Sequence, residues 1–222
     1  MPSSLSRLQR RIWVCLAGME PPWTLSGGGA LAGVHMGHRT TRDLDLFWHS
    51  LHQLPNPRLV IDRLLMAGLT VDSLQTSPGL VQLRVAGDDD VTIVDLVADP
   101  VPVVEAPEAV ALDGAVILVD TPYEILINTL CALLSRAEFR DLVDLDALLH
   151  RDLDWRRALI AAETKDGGFS AATLAWVLKD MPVRAVGAAS GAPPAQIEAM
   201  CRFRDQLTKD LVALSRPQQE PR

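Results

Sequence analysis

Between Ser26 and Phe47 the chain runs through three consecutive glycines, a short apolar stretch and a basic turn, then two aspartates separated by one leucine inside an apolar run. No other segment limits the fold as tightly. Leu44 to Trp48 reads as a strand, and residues two apart on a strand share a face. Asp43 and Asp45 therefore stand side by side, while Leu44 and Leu46 turn into a core. Adjacent carboxylates repel each other, which is costly unless a cation neutralises them. Hard divalent ions such as Mg²⁺ or Mn²⁺ take carboxylates together with substrate phosphates. Gly27, Gly28 and Gly29 carry no Cβ and let the backbone approach a ligand closely. Amides at the start of the following helix suit phosphate groups.

Around this segment lie other charged residues. Asp95 sits in the apolar run Val91-Thr-Ile-Val-Asp-Leu-Val97, where an aspartate is expensive unless paired or coordinated. It either serves a ligand or caps a neighbouring loop. Asp88, Asp89 and Asp90 form a charge run that suits a solvated turn. His35, His38, Arg39 and Arg42 precede the aspartates. The two histidines share a helical face, but imidazole suits zinc or copper better than magnesium, and no third nitrogen or sulfur ligand accompanies them. A basic edge facing phosphate or RNA is the better reading, and Arg39 or Arg42 can also pair with Asp43.

The rest of the 222 residues bounds the class of molecule. Hydrophobic residues make up 48%, enough for a sizeable core, while aromatics are few. A net charge of −7 argues against a general nucleic-acid coat, which needs a broad basic face, but leaves room for a local basic groove. Cys15, Cys131 and Cys201 have no metal-ligand spacing, and an odd, unpaired set suits a reducing cytoplasm. The start, Arg7 to Gly18, faintly imitates a secretory signal, but its apolar run is short and meets Glu20-Pro-Pro, so an amphipathic helix is expected. No apolar run approaches the roughly 20 residues that span a bilayer, and no membrane association is expected.

Periodicity predicts helices over 4–17, 30–38 and 57–67, and strands over 23–26, 43–48, 70–75, 80–85, 91–96 and 116–119. The Gly87-Asp-Asp-Asp90 turn suggests a hairpin, and 100–107 is a proline-rich connector. Helices follow over 122–135, 139–149, 155–165, 170–179 and 194–215. The expected architecture is α/β (α+β): a mixed β-sheet lobe over 1–120, an α-helical lobe over 121–215, and a disordered tail over 216–222.

The segment from Leu25-Ser-Gly-Gly-Gly-Ala-Leu-Ala through His38-Arg39 to Asp43-Leu-Asp45 resembles the first motif of the nucleotidyltransferase superfamily, and most closely its AbiEii/AbiGii toxin branch. A second match runs from Thr121 to Leu145, where a helix ending in Ser135-Arg136 precedes an Arg140-Asp141-Leu-Val-Asp144 helix. With Asp95 between them, the matches cover residues 23–146, and Lys165-Asp-Gly-Gly168 has the same flavour. The resemblance implies a nucleoside triphosphate on the glycine turn, with an active site between the lobes. Asp43, Asp45 and Asp95 would be the metal carboxylates, and Arg39, Arg42 and Arg136 would be phosphate partners. Asp141 or Asp144 would either help deprotonate the attacking hydroxyl or staple two helices. It further implies a toxin that modifies RNA, with a tRNA-like acceptor and a winged-helix antitoxin as partner. Two departures stand out. Gly28-Gly29 replaces the Gly-Ser or Gly-Thr whose hydroxyl touches phosphate, and Thr129 occupies a position where relatives carry lysine. Lys165, also readable as a dipole-favoured lysine in the last turn of a helix, is the only candidate to compensate. A catalytically weak or inactive nucleotide- or RNA-binding module, or a protein-interaction component of the same fold, is the alternative.

Overall fold

The computed structural model describes residues 4–215, so the expected tail at 216–222 lies outside the described residues. Helix α1 (Arg7–Leu16) opens with a capping box, in which the Ser6 hydroxyl accepts from the Gln9 amide and the Gln9 side chain accepts from the Ser6 amide. Strand β1 (Thr24–Ser26) leads into a short α2 (Gly27–Ala30), which continues as a π-helical segment, Leu31–Met36, ended by the left-handed Gly37. The helix thus starts inside the glycine run, three residues before the sequence suggests. Next come β2 (Asp43–His49), α3 (Pro57–Met66, capped by Asn56), β3 (Thr70–Thr76), β4 (Leu80–Gly87) and β5 (Asp90–Asp99). Asp88 and Asp89 both have positive φ, as the tight hairpin turn between β4 and β5 requires. Strands β6 (Glu108–Leu112) and β7 (Ala115–Val119) form a further hairpin, of which the sequence suggested only the second strand.

These strands make one mixed sheet in the order β3-β4-β5-β2-β1-β7-β6. Strand β2 runs parallel to β5 and antiparallel to β1, while β1 runs parallel to β7. Alternation sorts the two faces. Leu25, Leu44, Leu46, Trp48, Val94 and Leu96 are buried on one face, and α2 lies there, since Gly29 touches Leu25 and Leu44. Along β2 the opposite face carries Asp43, Asp45, Phe47 and His49, all half-buried. Helix α1 packs against β5, β7 and α3 and buries the stripe Leu8, Ile12 and Leu16.

Packing divides the chain into two compact units, Met1–Ile125 and Leu126–Arg222. The division falls in the first turn of α4 (Pro122–Ser135). The second unit continues with α5 (Phe139–Leu149), α6 (Trp155–Lys165), α7 (Ala171–Asp180), α8 (Val183–Ala189) and α9 (Pro194–Leu214). The long α9 is its spine, packed by α5, α7 and α8. Helix α8 was not expected from the sequence: it follows Pro182 and contains Gly187, a poor helix former.

Candidate active site

The end of β1 hands the chain to Gly27, whose φ is +56°. A Cβ there would lie 2.3 Å from Asp45 Oδ2, so the Asp45 carboxylate occupies the space that a side chain would fill. Gly27 is therefore demanded twice, by its left-handed backbone and by this contact. At Gly28 a Cβ would meet Arg39 Nη2 at 2.6 Å, which places the Arg39 guanidinium on the glycine turn. Arg39 Nη1 also donates to the Thr40 carbonyl at 3.0 Å.

Strand register builds the rest. Ser26 pairs with Asp45, Asp45 with Asp95, and Asp95 with Gln82, so one polar rung crosses four strands. Gln82 Nε2 donates to Asp95 Oδ1 at 2.9 Å. Asp43 stands two residues before Asp45 on the same face, opposite Ile93. Ser26 is buried, but its side chain does not cap α2, so it does not take the place of the missing hydroxyl through a cap. Arg42 is exposed, and its carbonyl accepts from Thr92 Oγ1 at 2.7 Å. Among the described residues, no group of three His, Cys, Asp or Glu side chains is gathered closely enough to hold a metal by itself. The donor set still fits a hard divalent ion, because Mg²⁺ commonly uses one or two carboxylates and completes its shell with water and substrate phosphates. Asp43 and Asp45 would be that pair, and Asp95 stands in register beside Asp45 with one oxygen held by Gln82.

Further along the same face is a buried cluster that sequence reasoning missed. His49 Nε2 lies 3.2 Å from Asp120 Oδ1, and His49 Nδ1 lies 3.6 Å from Asp99 Oδ2. The Asp120 side chain is fully buried. Burial alone would lower the pKa of His49, but hydrogen bonding and charge from Asp120 and Asp99 outweigh it and raise the value to about 9. The Asp120 backbone is equally engaged. Its N–H donates to the Leu25 carbonyl at 2.9 Å, and its carbonyl accepts from His35 Nε2 at 2.8 Å. One residue thus ties β1, the π-helical segment and the end of β2 together. His35 serves this tie rather than a metal pair with His38. The period-two pattern from Asp43 puts His49 on the carboxylate face, which was the one available signal. Its partner Asp120 is 71 residues away.

The helical unit carries its own charged groups. Asp141 and Asp144, both on α5, are buried at 4% and 6% exposure. Arg136 grips Asp141 in a two-pronged pair, Nε to Oδ2 at 2.9 Å and Nη2 to Oδ1 at 2.8 Å, and so staples the end of α4 to the first turn of α5. Thr129 is buried on α4. Beside it, Asn128 Oδ1 accepts from Lys165 Nζ at 2.8 Å, so the last residue of α6 reaches α4 next to Thr129.

The model of the family described as nucleotidyl transferase AbiEii toxin, of type IV toxin–antitoxin systems, matches residues 11–214. The chain belongs to this family. Solved structures agree on the fold of this AbiEii-family chain. MenT4, a nucleotidyltransferase toxin from Mycobacterium tuberculosis, superposes with a TM-score of 0.61 at 17% identity, covering 91% of this chain and 82% of that one. A Helicobacter pylori protein provisionally assigned as a nucleotidyltransferase gives 0.53 at 21% identity, covering 96% and 100%. JHP933 from Helicobacter pylori gives 0.51 at 19%, covering 94% and 92%. These likenesses show a nucleotidyltransferase-like α/β fold. No curated protein sequence matches significantly. Among the described residues, no helix is long and apolar enough to cross a membrane.

Proposed function

We propose that this AbiEii-family protein transfers a nucleotide from a nucleoside triphosphate to an RNA acceptor, with a tRNA-like end as the favoured target, and acts as the toxin of a cytoplasmic toxin–antitoxin pair. The observation that carries the reading is the contact of the Asp45 carboxylate with Gly27, with Arg39 on Gly28 and Asp95 in register beside Asp45. Carboxylates, a phosphate-sized backbone turn and a guanidinium meet at one strand end, which is what triphosphate chemistry needs. Asp43 and Asp45, with Asp95 as the third carboxylate, would hold Mg²⁺ or Mn²⁺. Such an ion would supply the positive charge that offsets the charge of the phosphates. Gly27 and Gly28 would present their backbone to the phosphates while Gly29 seats the turn on Leu25 and Leu44, Arg39 would orient the phosphates, and Arg42 presents an exposed cation to RNA. Arg136 holds Asp141, which supports a stapling role for that pair, and the family resemblance makes Asp144, the other buried carboxylate of α5, a candidate for accepting the proton of the acceptor hydroxyl. A winged-helix antitoxin is the proposed protein partner.

One observation favours a second reading. Thr129, buried on α4, brings no charge to the position where the family resemblance implies lysine, which supports a weakly active or inactive nucleotide- or RNA-binding or protein-interaction module. Incubation with each α-labelled nucleoside triphosphate, Mg²⁺ and total RNA separates the two. Label joined to RNA, and lost in Asp45→Ala, supports transfer. Thermal stabilisation by a nucleotide and Mg²⁺ without joined label supports the binding module.

A further inference from the structure

A cluster of arginines lies on α1, apart from the carboxylates. Arg7, Arg10, Arg11 and Val14 recur at the spacing of one helical face, opposite the buried Leu8, Ile12 and Leu16. With Asp88 and Asp113 they line a cleft of about 350 Å³. The two aspartates sit at hairpin tips, each at a left-handed residue, with φ of 55° and 51°. Arg11 Nη1 reaches both oxygens of Asp88 at 3.2 Å, and its Nη2 donates to the Ala67 carbonyl, so its guanidinium is fixed. Arg10 Nε lies 3.7 Å from Asp113 Oδ2, too far for a hydrogen bond, and is buried with no acceptor among the described residues. Arg7 is exposed at the mouth of the cleft. Three guanidinium groups against two carboxylates leave a positive balance and a buried donor that lacks an acceptor oxygen.

We propose that this cleft binds backbone phosphates of the RNA whose end is modified at the Gly27–Asp45 site, an inference that rests on the RNA acceptor proposed above. Planar guanidinium groups match phosphate oxygens in pairs, and Arg7 and the outer part of the Arg10 side chain are the solvent-accessible cations that would meet them. Continuity favours RNA over an acidic protein segment. Gln9, within the arginine helix, donates from Nε2 to the Thr41 carbonyl at 3.2 Å. That bond docks α1 on the Arg39–Arg42 loop, whose Arg39 lies on the glycine turn. The arginine helix and the Arg39–Arg42 loop are therefore neighbouring elements of the sheet unit.

The test measures binding of a fluorescent single-stranded RNA across a salt series for the wild type, Arg7→Gln/Arg10→Gln, and Arg7→Glu. The last changes an exposed residue, so its fold is secure if the double variant proves unstable. Each lost phosphate contact flattens the slope of log affinity against log salt by about 0.7, so the double variant is expected to lose about 1.4 and at least about tenfold in affinity. Arg7→Glu is expected to weaken RNA binding several-fold, with affinity for a nucleoside triphosphate and Mn²⁺ unchanged in both variants. Unchanged RNA affinity and slope overturn the proposal. So does a wild type that binds no RNA, or variants that lose affinity for polyglutamate but not for RNA. Loss confined to the free triphosphate, the other source of phosphate, overturns it as well. Incorporation of α-labelled nucleotide into RNA by the wild type is measured alongside. Incorporation with unaltered variant binding sinks the cleft alone. Salt-sensitive RNA loss without incorporation, in the wild type and in Thr129→Lys alike, keeps the cleft and sinks the transferase reading.

Discussion

At the scale of single residues, the site turns on how little room Gly27 and Asp45 leave each other. Gly27→Ala puts a methyl 2.3 Å from Asp45 Oδ2 and keeps a positive φ. The left-handed backbone alone costs about 1–2 kcal/mol. The methyl also drives the carboxylate off its position, so weaker Mn²⁺ binding is expected in a calorimetric titration. Unaltered Mn²⁺ affinity in a folded Gly27→Ala protein would refute Asp45 as a ligand in this position. His49 makes a separate, pH-dependent prediction. Its pKa in the fold, about 9, lies above the ordinary 6.5. The protonated ring therefore stabilises the fold fully below about pH 6.5, and that contribution is lost as pH rises through about 9. The melting temperature is expected to fall across this alkaline window, and His49→Gln should remove that part of the slope. An alkaline slope identical in His49→Gln would show that the Asp120 pair contributes nothing. Asp120→Ala deletes the carboxylate partner of a half-buried cation, which typically costs about 3–5 kcal/mol for buried pairs and less with water access.

At the scale of elements, some of this was legible and some was not, for identifiable reasons. The strict alternation of β2, with Leu44, Leu46 and Trp48 buried and Asp43 and Asp45 opposite, could be read directly because one strand carries the whole pattern. Helices α4, α5 and α6 were equally plain, since Pro122 opens the first and Asp154 caps the third. The start of α2 was hidden because glycines are poor helix formers, and packing against Leu25 and Leu44 overrides that preference. Strand β6 has an exposed or half-exposed pattern at the sheet edge and carries no apolar alternation to find. The rung from Ser26 to Gln82 depends on register between strands, which periodicity within each strand does not specify. Asp120 escaped because it lies just past β7, and its partners His35 and His49 come from other elements. For α4 the prediction concerns Thr129. Thr129→Lys supplies the cation that the family resemblance implies there, and loss of one preorganised donor from such a site typically costs about 10²–10³ in rate. Tighter triphosphate binding and faster transfer are therefore expected, read by nucleotide titration and label incorporation. Rapid transfer by the native chain, undiminished in Lys165→Ala, would show that this position is dispensable.

For the whole molecule, a net charge of −7 and an RNA substrate are compatible only if the cations are concentrated. Arg39, Arg42 and the α1 arginines lie in the sheet unit, which also carries the acidic excess of the chain, so any RNA contact proposed there is local, while Asp43 and Asp45 share one strand face. Asp45→Ala is expected to lose the stabilisation that Mn²⁺ gives the native chain, read as the shift in melting temperature on adding the ion. The measurement that bears most directly on the transferase reading is incorporation of α-labelled nucleotide into RNA by the native protein and by Asp45→Ala, with Mg²⁺ present. Label in RNA with the native chain, abolished in a folded Asp45→Ala protein, is the expected result. Incorporation that persists in Asp45→Ala, or its absence for every nucleotide even in Thr129→Lys, would contradict a transferase built on these carboxylates.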